Sequence, residues 1–144
     1  MDAKPPRKRR TLIVAALAII AVVVIVVLFD SLAGWSAPSS ARKMKNPVPA
    51  TESAIDDGMF NYSKHCKSCH GENGDGNGDR AHELSVMPSD FTDAREMSRA
   101  TDGELFWKIT NGHRPMPAFQ NKLTDTERWE VVDYIRTFAK KSAP

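Results

Sequence analysis

The chain contains two cysteines, and both lie in the short stretch Cys66-Lys67-Ser68-Cys69-His70. The pattern C-x-x-C-H is the attachment signature of a c-type haem. Two thiols at this spacing can add to the two vinyl groups of a porphyrin, and the following histidine is then held beneath the ring as an axial ligand of the iron. The sequence therefore predicts one covalently attached haem c, bound through Cys66 and Cys69, with His70 as an iron ligand.

Two other uses of a cysteine pair fit the sequence less well. A thioredoxin-like disulfide is expected near alternating strands and helices, and no such pattern surrounds the motif. A structural zinc site needs four protein ligands in most cases, and the sequence has no second cysteine pair. We therefore favour haem attachment over a disulfide and over zinc.

A second axial ligand of the iron is expected from the segment that carries Met116. This residue stands between Pro115 and Pro117, and the two proline rings stiffen the backbone on either side of it. A thioether ligand favours ferrous iron and raises the reduction potential, whereas a second histidine would lower it. Met116 is the predicted sixth ligand, and four other residues remain as alternatives: Met87, Met97, His82 and His113.

The haem motif is expected to follow directly from an amphipathic helix that begins near residue 54. Ser53 is a suitable N-cap, and Ile55, Met59 and Tyr62 recur at the spacing of one helical face. Gly58 lies inside this helix, where a glycine costs about 1 kcal/mol relative to alanine. A close crossing with a second helix would account for that glycine.

The haem motif is followed by a glycine-rich stretch. Residues 71–79 alternate Gly with Asp and Asn, which indicates a turn-rich loop. The pattern suggests a calcium site, but the spacing and the distal Glu of an EF-hand are absent.

Two more helices are expected after this loop, over about residues 102–110 and from Thr124 to about Lys140, where Glu127 completes a capping box. No strand pattern of useful length appears, so the predicted fold class is all-α.

The N-terminal third of the chain differs in composition from the rest. Residues 1–10 form a basic head, and the 18 residues Leu12–Phe29 are all Ala, Val, Ile, Leu or Phe. A helix of that length spans the hydrocarbon core of a bilayer, which predicts a single transmembrane helix over residues 11–30. The basic head is expected to stay in the cytoplasm. Residues 31–52 are expected to form a flexible linker, and residues 53–144 the soluble domain.

A cleaved signal peptide is the main alternative to this anchor. The small residues around Ser31-Leu32-Ala33 would permit cleavage before Gly34. The apolar run is longer than the 7–15 residues that are usual in such a peptide, so we favour a retained anchor.

The soluble part of the chain is acidic. From Thr51 to Pro144 it contains 12 Lys and Arg against 16 Asp and Glu, a formal net charge of −4. Nucleic-acid-binding domains are typically basic. The charge therefore argues against nucleic acid as a partner.

The ordered set of motifs over about residues 54–141 resembles the class I c-type cytochromes, in their small bacterial single-haem form. In the first helix, Gly58 and Tyr62 resemble the family's glycine and aromatic residue, and residues 62–71 resemble its attachment site. Residues 88–92 resemble the segment after the family's glycine-rich loop, and residues 104–112 the third helix and its end. Residues 116–119 resemble the distal methionine motif, and residues 129–135 the terminal helix. One departure is Asp79-Arg80, which stands where the family commonly has Gly-Pro. The resemblance therefore leaves open which backbone carbonyl orients His70.

This resemblance implies a class I cytochrome c fold and an electron carrier that is not an enzyme. The expected location is the bacterial inner membrane, with a single pass and the C-terminal domain in the periplasm. The expected partners are the lipid bilayer and membrane-embedded redox complexes of respiration or photosynthesis, which donate and accept the electron. Two alternatives remain: a fixed haem c subunit of a larger oxidoreductase, and a haem sensor or peroxidase with a labile sixth ligand.

Overall fold

The computed structural model describes the backbone of residues 7–32 and 35–141 and the side chains of residues 11–25 and 35–139. The chain divides into two compact units, with the boundary between Ser36 and Ala37. The first unit holds helix α1 (Arg7–Leu32), and the second holds a 3₁₀ turn (Ala81–Glu83) and six helices: α2 (Ser39–Arg42), α3 (Glu52–His65), α4 (Lys67–His70), α5 (Ala94–Arg99), α6 (Asp102–Asn111) and α7 (Asp125–Lys141). Neither described range contains a β-strand, so the all-α prediction is confirmed.

Helix α1 contains the apolar run of the sequence, and its described side chains, at residues 11–25, are exposed. Among the residues that the structure describes, no helix is both long enough and apolar enough to cross a membrane. The transmembrane helix predicted over residues 11–30 is therefore not supported by the structure. Residues 1–6 of the predicted basic head lie outside the described residues.

The second unit is built around the crossing of α3 and α7. A Cβ atom on Gly58 would lie 2.1 Å from the carbonyl oxygen of Glu130, so the backbones of the two helices meet at this glycine, as the sequence predicts. Around the crossing, Tyr62 of α3 packs among buried apolar residues of α7, which include Val131 and Val132. This crossing supports the end of α3, where the haem motif begins.

The ends of these helices are capped by side chains. The hydroxyl of Thr51, rather than the predicted Ser53, accepts a hydrogen bond from the backbone N–H of Ala54 at 3.2 Å. At the start of α7, the backbone N–H of Thr124 donates to Glu127 at 2.7 Å, and the N–H of Glu127 donates to the Thr124 hydroxyl at 3.3 Å. This reciprocal pair is the capping box that the sequence predicts.

Residues 37–48, which we call the N-terminal strap, begin the second unit and pack against its later helices. Ala41 is 4% exposed and belongs to α2, which contacts α6. Asn46 donates from Nδ2 to the Asp133 carboxylate of α7 at 2.8 Å. This packing departs from the flexible linker predicted over residues 31–52, because Gly103 has no side chain and lets the backbone of the strap lie directly on α6.

The variant Gly103→Ala is expected to report on this packing. A Cβ atom at residue 103 would lie 2.0 Å from the carbonyl oxygen of Ala41 and 2.8 Å from that of Met44. In the full chain the substitution should lower the free energy of unfolding by roughly 1–3 kcal/mol, the usual cost of overpacking. In a chain that begins at residue 50, the same change should be neutral or stabilising by up to about 1 kcal/mol, since alanine is the better helix former. Urea unfolding of the four proteins measures both effects, and equal destabilisation in the two backgrounds would contradict the packing of the strap.

Candidate functional site

The haem motif forms a tight helical turn at the end of α3. Cys66 follows the last residue of α3 and precedes α4, which contains Cys69 and His70. The backbone N–H of His70 donates to the Cys66 carbonyl at 2.9 Å, so the chain keeps turning through the motif. Both cysteines are free thiols and half-buried. A helical turn of this kind places both thiols and the histidine within a single short element.

The His70 side chain is oriented by the backbone of a distant loop. Its Nδ1 lies 3.3 Å from the carbonyl oxygen of Ser89, so Nδ1–H donates there and Nε2 is left as the nitrogen that can bind a metal. Burial lowers the pKa of His70, which favours the neutral imidazole that metal binding requires. Ser89 thus supplies the carbonyl that the resemblance left open, and Asp79-Arg80 does not.

The Cys66 thiol is not suited to thiol redox chemistry. Burial, and to a lesser extent the neighbouring Cys69, raise its pKa to about 12, so the thiol stays protonated near neutral pH. Reactive cysteines have lowered pKa values, which disfavours the thioredoxin-like alternative. In the described parts of the chain no group of three or more His, Cys, Asp or Glu side chains is placed to hold a metal ion, so zinc gains no support either.

The loop of residues 71–79, which we call the glycine loop, holds the motif through its backbone. The N–H of Gly76 donates to the carbonyl of His70 at 2.9 Å, and that of Gly78 to the carbonyl of Cys69 at 3.1 Å. A Cβ atom on Gly78 would lie 2.4 Å from the Ser68 carbonyl oxygen, so only glycine permits this approach. The buried Tyr62 hydroxyl donates to the Gly71 carbonyl at 2.7 Å and ties the loop to α3. The loop therefore fixes the position of the motif.

Met116 lies in a hydrogen-bonded turn between α6 and α7. The backbone N–H of His113 donates to the Met116 carbonyl at 3.0 Å, and the N–H of Met116 donates to the His113 carbonyl at 2.8 Å. The Arg114–Pro115 peptide bond within the turn is cis. The Met116 side chain is partly buried and packs against the apolar core. Its thioether is therefore held by the fold instead of lying free in solvent.

The turn that carries Met116 leads into a residue beside the haem motif. The Phe119 ring lies 5.9 Å from the imidazole of His65, centroid to centroid, and His65 immediately precedes Cys66. Both predicted ligand segments thus contribute to the same region of the domain.

The alternative sixth ligands are placed less favourably than Met116. His82 and His113 are exposed, and Met87 is 66% exposed. Met97 is buried in the apolar core as part of α5. Met116 thus combines partial burial against the core with a rigid backbone.

These residues form a donor set that fits haem c. Two free thiols are available for thioether bonds, a neutral imidazole is oriented through Nδ1, and a thioether is held by a rigid turn. Haem c uses groups of these kinds, since the thiols attach the porphyrin and the axial ligands set the potential.

The family model described as "Cytochrome C oxidase, cbb3-type, subunit III" matches residues 53–135, which is more than half of the chain. The match begins at Ser53, in the first turn of α3, and ends within α7. No curated protein matches the chain.

Several solved structures are similar to this chain, and two of them illustrate the match. A chain of the Kuenenia stuttgartiensis reducing HAO-like protein complex Kustc0457/Kustc0458 matches with a TM-score of 0.56 and 28% identity, covering 66% of this chain and 49% of its own. This chain thus spans about half the length of that relative. The KustC0563 c-type cytochrome matches with a TM-score of 0.50 and 34% identity, covering 57% of this chain and 96% of its own.

The family and the motif agree on the cofactor. A cytochrome c domain implies covalently attached haem c, and Cys66 and Cys69 fit its attachment motif. The helical architecture, the matched residues and the similar structures point to the same group of proteins. The chain therefore belongs to the cbb3-type cytochrome c oxidase subunit III family and is a class I c-type cytochrome.

Proposed function

We propose that the protein is a membrane-anchored cytochrome c with one haem, which carries single electrons between respiratory or photosynthetic complexes on the periplasmic side of the bacterial inner membrane. The observation that carries this proposal is the orientation of His70, whose Nδ1 lies 3.3 Å from the Ser89 carbonyl within a motif that holds two free thiols. An imidazole oriented in this way is prepared for iron through Nε2. The protein then performs no bond chemistry on a substrate.

Each predicted site residue has a defined role in this proposal. Cys66 and Cys69 would attach the porphyrin, and His70 and Met116 would hold the iron. When bound, the haem supplies the one-electron couple, and the protein supplies orientation, ligation and electrostatics. The hydrogen-bonded turn around Met116 would hold its thioether at the iron, which would limit reorganisation during electron transfer.

The membrane anchor is the part of this proposal that rests on the sequence. The run Leu12–Phe29 is apolar throughout, and the described side chains at residues 11–25 are exposed. An exposed apolar surface of this extent calls for an apolar partner, and lipid suits a helix preceded by a basic head. Anchoring would raise the local concentration of the domain at partner complexes in the same membrane.

A fixed subunit of a larger oxidoreductase is the second candidate. It is favoured by the description of the matching family as an oxidase subunit, and by the similar structure that comes from a protein complex. The domain and its ligands would be the same in both cases. Purification in mild detergent distinguishes a mobile carrier from a fixed subunit, because only a fixed subunit would co-purify with its partners in constant proportion.

Optical spectra of the full chain in membranes test the proposed ligation. The ferrous form should show a six-coordinate c-type spectrum that carbon monoxide does not change. Met116→Ala should keep the haem attached but open the iron, so that carbon monoxide shifts the ferrous spectrum. Met87→Ala is the matched control, since that methionine is exposed, and it should behave as the unaltered protein. If Met116→Ala stays six-coordinate and unreactive, another residue is the ligand; if the unaltered protein binds carbon monoxide rapidly, the sensor or peroxidase alternative replaces the carrier.

The same spectra test the anchor. The haem signal should be found in the membrane fraction and should resist extraction by alkaline carbonate, which removes peripheral proteins. A signal confined to the soluble fraction would overturn the anchor while leaving the electron carrier in place.

A further inference from the structure

Phe91 packs flat against the imidazole ring of His70. The two ring centroids lie 4.7 Å apart with an interplanar angle of 17°, and Phe91 is 7% exposed. Ser89, two residues earlier, accepts the hydrogen bond from His70 Nδ1. The edge and the face of one imidazole are therefore contacted by the same short segment, residues 89–91.

This segment is itself held in place on several sides. The backbone N–H of Phe91 donates to the Gly74 carbonyl at 2.6 Å, in the loop that follows the haem motif. The Asp90 carboxylate accepts from the N–H of Thr92 at 2.8 Å and from its hydroxyl at 2.6 Å. The ring of Tyr62 meets Phe91 edge to face, with centroids 6.5 Å apart. The phenyl ring thus has little freedom to tilt or slide.

A single hydrogen bond restrains the plane of an imidazole only weakly, because the N–H donor keeps an acceptable distance and angle to its acceptor over a range of ring rotations. A flat, immobile ring on its face removes that freedom, since rotation would drive the imidazole into the phenyl group. Buried aromatic rings at this separation also attract one another. The hydrogen bond at Nδ1 and the phenyl ring on one face therefore restrain the imidazole together.

We infer that Phe91 is a positioning residue, which sets the rotation of the His70 ring about its bond to the haem iron. The inference rests on the proposed role of His70 as an axial ligand. The plane of an axial imidazole determines which iron orbital it overlaps, and hence how unpaired spin is distributed over the porphyrin in the ferric state. Orientation of a ligand by groups that do not touch the metal is a general means of tuning a metal centre.

The test is the proton NMR spectrum of the ferric full-length protein in detergent, in which the four haem methyl resonances report the spin distribution. Phe91→Leu keeps apolar bulk but removes the flat face, so the imidazole should sample several rotations and the spread of the four methyl shifts should narrow. Phe91→Tyr keeps the flat ring and should retain the spread. If Phe91→Leu does not assemble with haem, Phe91→Met replaces it, because methionine also lacks a flat ring and should narrow the spread of the methyl shifts in the same way.

Phe106→Leu is the matched control for lost packing. Phe106 is buried, and its ring stacks on Trp129 with centroids 4.0 Å apart. This variant should lower the unfolding temperature about as much as Phe91→Leu while leaving the methyl spread unchanged. A merely structural role for Phe91 would make the two variants alike in both readouts.

Two outcomes would overturn the inference, and they are distinguishable. If Phe91→Leu keeps the full spread of methyl shifts in a low-spin protein, Phe91 does not set the imidazole plane, and the proposed function stands. If His70→Ala leaves the low-spin spectrum of the attached haem unchanged, His70 is not the ligand, and the ligation proposed above falls together with this inference.

Discussion

Replacing both cysteines, Cys66→Ala together with Cys69→Ala, is expected to abolish covalent haem completely. The two thiols are the only ones in the chain, and haem c is attached through thioether bonds that no other side chain can form. Haem bound by axial ligands alone dissociates when the protein unfolds. The measurement is haem-dependent staining after denaturing electrophoresis, together with the intact mass, which should decrease by the mass of one haem in addition to two sulfur atoms.

Ser68→Ala is the matched control for this experiment. Ser68 lies between the two cysteines, is exposed, and has its hydroxyl oxygen 3.9 Å from Cys69 Sγ. Its removal should leave full haem attachment, because it contributes neither a thioether nor an iron ligand. Haem that survives denaturation in the double cysteine variant would contradict the attachment sites, and haem loss in Ser68→Ala would show that attachment also depends on Ser68.

Features that depend on local spacing could be predicted from the sequence. The C-x-x-C-H motif, the capping box of Thr124 and Glu127 and the apolar face of α3 each involve residues a few positions apart. Their geometry follows from one turn of helix, whatever the rest of the chain does. Gly58 predicts the helix crossing in the same way. A glycine inside a helix lowers the stability of that helix, and the close approach of a second helix is a common reason for a glycine there.

Contacts between distant segments could not be predicted in this way. The carbonyl that orients His70 belongs to Ser89, 19 residues away. Every residue has a backbone carbonyl, so nothing in the sequence marks Ser89 as the acceptor. Phe91 is one of several aromatic residues with no pattern that marks it as the partner of His70. The N-terminal strap was also missed, because its small and polar residues suit a linker, and only the glycine at position 103 permits them to pack on α6.

Gly58→Ala is expected to destabilise the protein strongly, although alanine favours a helix. The new Cβ atom would lie 2.1 Å from the carbonyl oxygen and 2.6 Å from the carbonyl carbon of Glu130. Both atoms belong to the backbone of α7, so no side-chain rotation can relieve the overlap, and the two helices must separate. The cost should reach the upper end of overpacking, about 3 kcal/mol in the free energy of unfolding, against a gain of up to about 1 kcal/mol from helix propensity.

The consequence should extend to the haem site, because α3 leads directly into Cys66 and its Tyr62 hydroxyl holds the Gly71 carbonyl at 2.7 Å. Urea unfolding followed by tryptophan fluorescence, which the haem quenches in the folded protein, measures the stability. Ser63→Ala is the matched control on an exposed position of α3, where surface substitutions change stability by about 0.5 kcal/mol or less. A Gly58→Ala protein as stable as the control, or more stable, would mean that α3 and α7 do not cross at this glycine. The support of the haem motif would then have to come from the glycine loop and the Ser89 segment alone.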